Sequence, residues 1–239
     1  MRSIVIGAVI LGVFAVMAAL PTLAFQTGNA FFGGVEPLYN VSFAQATYLI
    51  ATHPLLPMNP PRYAHHQLSR TYFIQGDQYK ALDEAREELA LYPDDTSTYY
   101  ILGLTYGYLG RTHEGIDAFS KYIETHPGTW AGRNDKAWLQ FRIGDISGAL
   151  ATIEPIVQEF PYTPWVQNTY CTLLVNTTRY AEAESACAHA KSIIDHMTPE
   201  DWGHAYPGND PRVYADGLDA MKQSIEQNIA LVKQKASTK

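Results

Sequence analysis

Between Arg2 and Arg62 the chain has no Lys or Arg, and from Ile4 to Phe25 it has no charged residue of either sign. Basic residues are scarce throughout, 17 Lys and Arg against 24 Asp and Glu, for a formal net charge of -7. That balance argues against a nucleic-acid partner, because phosphate binding needs clustered Lys and Arg. No Cys closely follows the apolar segment, which excludes a bacterial lipoprotein anchor. No phosphate loop, Ser–His–Asp pattern or paired-carboxylate arrangement is present, so the chain reads as a non-enzyme that needs no cofactor. The eight His residues form no metal signature. His65 and His66 point to different sides of a helix, and His189, His196 and His204 lie seven and eight residues apart.

What is present begins with the apolar stretch itself. At about 1.5 Å per residue, a helix over Ile4–Phe25 covers a hydrocarbon core of roughly 30 Å. Only Arg2 and the amino terminus are positive on its near side, so the positive-inside bias places the N-terminus in the cytoplasm. The rest of the chain then lies on the non-cytoplasmic side, periplasmic or lumenal. Two readings stay open. In one, residues 1–25 are a signal-anchor or transmembrane segment. In the other, Ile4–Leu20 is the core of a signal peptide, cleaved near Ala24 after Thr22-Leu23-Ala24, and the protein is secreted.

Hydrophobic residues make up 46% of the chain and charged residues 17%, a globular composition. Within it lies an internal period. Gly76, Gly110 and Gly144 are 34 residues apart, and so are Pro93, Pro127 and Pro161. One frame holds both series, with repeats at 62–95, 96–129, 130–163 and 164–197. Small residues recur at two further positions: Ser69, Gly103, Ala137 and Cys171, then Ala81, Gly115, Ala149 and Ala183. The glycines suit left-handed turns ending a first helix, and the prolines stop a second. The small residues suit the close crossing of the two helices.

This pattern resembles the tetratricopeptide repeat family, with small residues at repeat positions 8 and 20, Gly at 15 and Pro at 32. Repeat 2 carries it best, through Tyr99, Leu102, Gly103, Tyr106, Phe119 and Pro127. Repeat 3 departs at Lys136 and at Pro155, where a kink is expected. Repeat 4 departs at Thr178 and Asp195. The resemblance implies an all-α, right-handed solenoid of about four helix pairs with capping helices, acting as a protein-binding scaffold. It also implies that positions 2, 5, 9 and 12 face a concave groove. Those positions are Tyr63, His66, Arg70 and Phe73 in repeat 1, and Tyr100 and Leu104 in repeat 2, where Gly107 leaves a gap. In repeat 3 they are Asn134, Trp138 and Phe141, and in repeat 4 Trp165, Asn168 and Thr172. Aromatic, Arg and Asn side chains together suit an extended peptide or a partner helix. The basic, Asn-rich clamp of the family's chaperone-tail binders is missing, since its places hold His66, Arg70, Ile101, Ala131 and Asp135.

Around the repeats, residues 26–61 read as a stalk with a short helix and a Pro-rich turn. Residues 198–239 read as a helix start at Thr198-Pro199, a loop over Trp202–Pro211 and an amphipathic capping helix over 212–235. Its apolar stripe is Val213, Leu218, Met221, Ile225, Ile229 and Val232. Cys171 and Cys187 lie at similar distances on either side of the turn near Thr178. A disulfide is sterically allowed there, and so is a pair of buried small residues. The sequons Asn40-Val41-Ser42 and Asn176-Thr177-Thr178 matter only in a eukaryotic secretory pathway. The functional expectation is a membrane-tethered or exported scaffold that helps assemble a membrane or envelope complex. The alternative is a permanent structural subunit of such an assembly.

Overall fold

The computed structural model describes residues 60, 62–205 and 214–237. The expected N-terminal anchor and nearly all of the stalk lie outside them. Among the described residues all regular structure is helical: ten helices, and none long and apolar enough to cross a membrane. Two compact units divide the chain, Met1–Asp95 and Thr96–Lys239.

The first unit contains α1 (Ala64–Ile74) and α2 (Gln78–Leu91). They join through Gly76 at φ +82°, and the Asp77 side chain accepts the Lys80 N–H to cap α2. The two small frame positions touch, with Ser69 Oγ donating to Ala81 O at 2.7 Å. The residue before α1, Tyr63, is left-handed and offers no side-chain cap. The missing acceptor comes from α2: the fully buried Glu88 carboxylate accepts the backbone N–H groups of Tyr63, His65 and His66 at 2.6, 3.1 and 3.2 Å. Burial raises the Glu88 carboxyl above its ordinary range, opposed by these N–H bonds.

In the second unit, α3 (Thr98–Tyr108) pairs with α4 (Thr112–Thr125), α5 (Trp130–Arg142) with α6 (Ile146–Glu159), and α7 (Pro164–Asn176) with α8 (Tyr180–Ile194). Close approach in the first of these pairs requires glycine. A Cβ on Gly103 would sit 2.6 Å from the Phe119 ring, and one on Gly115 would sit 3.1 Å from Gly103 O. At Gly107, where a gap in the groove is expected, a Cβ would lie 3.1 Å from Leu139. The turns place Gly110 and Gly144 at φ +74° and +82°, and in the last pair Thr178 takes φ +61° without being glycine. Helices α2, α4 and α6 are closed by the C-cap residues Tyr92, His126 and Phe160, which have φ between -132° and -123°. Each precedes a proline, whose ring disfavours the helical region for its predecessor. As expected, Pro155 lies inside the second helix of its pair, α6; it is exposed while Ile153 and Ile156 on the other face are fully buried.

After α8 come α9 (Pro199–Ala205) and α10 (Tyr214–Ser237). Thr198 and Asp201 cap α9 reciprocally: Thr198 Oγ1 accepts from Asp201 N at 3.1 Å, and Asp201 Oδ2 accepts from Thr198 N at 3.0 Å. Of the expected loop over Trp202–Pro211, Trp202–Ala205 are helical and the rest lies outside the described residues. The apolar stripe of α10 packs Leu218, Met221 and Ile225 with Ala190 and Ile194 of α8, flanked by Trp165 and Trp202. Gly217 makes room for the Trp202 ring, which its Cβ would otherwise meet. The sulfurs of Cys171 and Cys187, both fully buried, form a disulfide that ties α7 to α8 with Cα atoms 5.3 Å apart.

Candidate functional site

The first helices α3, α5 and α7 of the second unit leave a cavity of about 680 Å³, with α9 and α10 closing part of its wall. Of the groove residues expected from the sequence, Leu104, Asn134, Trp138, Trp165 and Asn168 line it. Trp138, 44% exposed, and the exposed Tyr108 both line it, leaving large apolar surfaces open to solvent. Trp165 stands 6.0 Å from Trp202, centroid to centroid, and 5.5 Å from Trp130.

The remaining expected residues are placed differently. Tyr100 leans into the pair interface, 5.7 Å from Phe119 and 5.1 Å from Tyr122, with its hydroxyl donating to Asp135 Oδ2 at 3.0 Å. Phe141 packs on the core between α5, α6 and α7. Thr172 hydrogen-bonds within its own helix, to Asn168 O at 2.9 Å, and accepts from Asn228 Nδ2 of α10 at 3.0 Å. Asn168 Oδ1 accepts from the same amide at 2.8 Å. At the fourth pair, then, the groove positions are engaged by the chain's own C-terminal helix.

In the first unit, taken by itself, Tyr63 is exposed at the start of α1 with its ring edge-on to His66, centroids 6.2 Å apart. Arg70 donates to Gln67 Oε1 at 3.1 Å, and Phe73 is half-buried. Burial, helped by the charge of Arg70, pushes the His66 imidazole down to about 3, so it stays neutral at physiological pH.

Several lining residues had no place in the sequence-based groove. Asp135 follows Asn134 directly and accepts its Nδ2 at 3.1 Å. Arg142 lines the cavity, and its Nη1 donates to Gly107 O at 3.1 Å. Trp202, Met221 and Ser224 enter from α9 and α10. The one sequence signal for these three was the apolar stripe through Met221, which marks a buried face without naming the surface that covers it.

Repeated helix pairs with left-handed turns, small crossing residues and a concave first-helix face define a tetratricopeptide-repeat-like fold. Solved structures with this fold include MamA, residues 41 to the end, from Desulfovibrio magneticus RS-1, at 16% identity and a TM-score of 0.53. That alignment covers 74% of this chain and 98% of the MamA chain. Another is YrrB, described as a tetratricopeptide repeat protein with an unusual peptide-binding site, at 16% identity and a TM-score of 0.52, covering 74% of this chain and 92% of that one. At such identities the likeness concerns the fold. No protein-family model matches the chain, and no curated protein matches it in sequence.

Proposed function

We propose that this chain is a protein-binding scaffold whose groove in the second unit holds an extended segment of a partner protein. The observation that carries the reading is a cavity of about 680 Å³ lined by the exposed Trp138 and Tyr108 together with Asn134 and Asp135. Exposed aromatics around fixed polar groups are the composition of binding hot spots. YrrB, of like fold, has a peptide-binding site by its own description. The scaffold acts on the non-cytoplasmic side, anchored through residues 4–25 or released after cleavage near Ala24, where it helps assemble or organise a membrane or envelope complex. The charge pattern around the apolar N-terminal segment supports that side, and the Cys171–Cys187 disulfide suits an oxidising compartment. A second reading, a permanent structural subunit of a membrane assembly, predicts co-purification at fixed stoichiometry.

The test is extraction of native membranes, identification of the chains that co-purify, and repetition with Trp138→Ala. Because Trp138 is exposed, the substitution is expected to leave helicity unchanged and to weaken capture of the partner at least about tenfold. Undiminished capture would move the interface away from this groove.

A further inference from the structure

The fourth helix pair shows how the chain fills one of these concave positions from within. Asn168 and Asn134 hold the same frame position in successive repeats. Asn168 is met by α10, whose Asn228 carboxamide donates to Asn168 Oδ1 at 2.8 Å and to Thr172 Oγ1 at 3.0 Å. Helix α10 also lines the cavity, through Met221 and Ser224. Asn134 lines the same cavity and is only 5% exposed. Its Oδ1, the equivalent acceptor, is buried and has no hydrogen-bond partner among the described residues. Its Nδ2 donates to Asp135 Oδ1, which fixes the amide orientation, because an amide oxygen facing that carboxylate would be repelled. A buried acceptor without a donor is disfavoured, so Asn134 calls for an N–H group from an occupant.

Three features of the lining decide what carries that N–H group. The first is charge. Asp135 and Arg142 are the charged residues among those lining the cavity, and their signs cancel. Both are engaged within the chain: Asp135 by the Tyr100 hydroxyl, the Asn134 amide and a further interaction, Arg142 through its bond to Gly107 O. A Lys or Glu side chain entering here loses water without gaining a counter-charge of its own. The second is Thr169, next to Asn168 on α7. It lines the cavity at 7% exposure, and its hydroxyl makes no hydrogen bond among the described residues, so its proton calls for an acceptor. Lys offers donors alone and Glu acceptors alone, whereas a carboxamide carries both. The third is Trp138, one turn beyond Asn134 on α5, whose open indole gives an apolar platform for a short aliphatic stem.

We propose that the groove over the third helix pair selects an uncharged carboxamide side chain, Gln or Asn, of an extended partner segment. Its N–H donates to Asn134 Oδ1, its C=O accepts from the Thr169 hydroxyl, and its stem lies on Trp138. The occupant thus repeats at Asn134 the chemistry that Asn228 supplies at Asn168. This rests on the groove reading above. The test is fluorescence anisotropy of the full-length protein with labelled short peptides, identical except for a central Gln, norleucine, Lys or Glu between leucines. The Gln peptide is expected to bind about tenfold tighter than the norleucine peptide, with Lys and Glu weaker than Gln. Asn134→Leu and Thr169→Val, the second nearly isosteric and so the safer for folding, should each narrow the Gln-to-norleucine ratio to within about twofold. Equal binding of the Gln and norleucine peptides overturns the carboxamide preference while leaving the groove reading standing. So does a Lys or Glu peptide that binds as tightly as Gln, or a ratio that neither substitution changes. Failure of every peptide to bind overturns both.

Discussion

The third and fourth helix pairs present the same frame positions to the concave side, yet one face is open and the other is covered. In the fourth pair α10 lies over Asn168 and Thr172 and seals the neighbouring apolar surface with Leu218, Met221 and Ile225. In the third pair Asn134 and Trp138 hold those positions with no such helix across them among the described residues, and Trp138 is 44% exposed. The difference teaches that a terminal repeat in this fold treats its own chain as a ligand.

The harshest way to break the comparison is to lift the cap. Ile225 is fully buried in its cluster with Ala190 and Ile194. Ile225→Asp is expected to destabilise the second unit by about 3–5 kcal/mol, through an unpaired buried charge and lost apolar contacts. Urea unfolding would register it, and amide exchange would quicken along α10 first. Next is the first pair, where the same frame position is His66, held neutral down to about 3 by burial against an ordinary value of 6.5. A depressed folded-state pKa means that its stability contribution is fully present above pH 6.5 and is lost as pH falls from there towards 3. Between pH 7 and 5 the loss should be about 2 kcal/mol, and His66→Gln should flatten that slope in a pH series of unfolding midpoints.

A gentler perturbation sharpens the contrast at the amides. Asn228→Ala leaves Asn168 Oδ1 and Thr172 Oγ1 without their donor and should cost about 1–2 kcal/mol, making the fourth pair resemble the open third. Smallest is Thr178→Gly. This β-branched residue sits at φ +61° where the other pairs use glycine, so the change should stabilise by about 0.5–1 kcal/mol and raise the melting temperature by a few degrees.

Much of this architecture was legible beforehand for identifiable reasons. A left-handed turn admits few residues besides glycine, so Gly76, Gly110 and Gly144 announced the turns; a proline constrains its predecessor, so Pro93, Pro127 and Pro161 announced the helix ends. Both signals are local. What stayed hidden is tertiary. The stripe on α10 told which side of that helix is buried but not that Asn228, off the stripe, would land on Asn168 and Thr172. Trp202 fell in a stretch rich in Gly, Pro and Asp, and its placement depends on Gly217, fifteen residues later, leaving room for the ring. Pro155 is tolerated inside α6 because its exposed side is where a lost backbone hydrogen bond can turn to water, while Ile153 and Ile156 keep the inner face packed. Asp135 read as a departure from a basic clamp; only its neighbours in space, Tyr100 and Asn134, show it as part of the groove lining.

The open-versus-covered distinction is tested most directly by nuclear magnetic resonance of the full-length protein titrated with an extended peptide from a co-purifying partner. Shifts should concentrate on the side-chain amide of Asn134, the indole of Trp138 and the backbone near Leu104, while the side-chain amide of Asn228 stays in place. Shifts at Asn228, or confined to α4, α6 and α8 with Asn134 and Trp138 unmoved, would contradict the account.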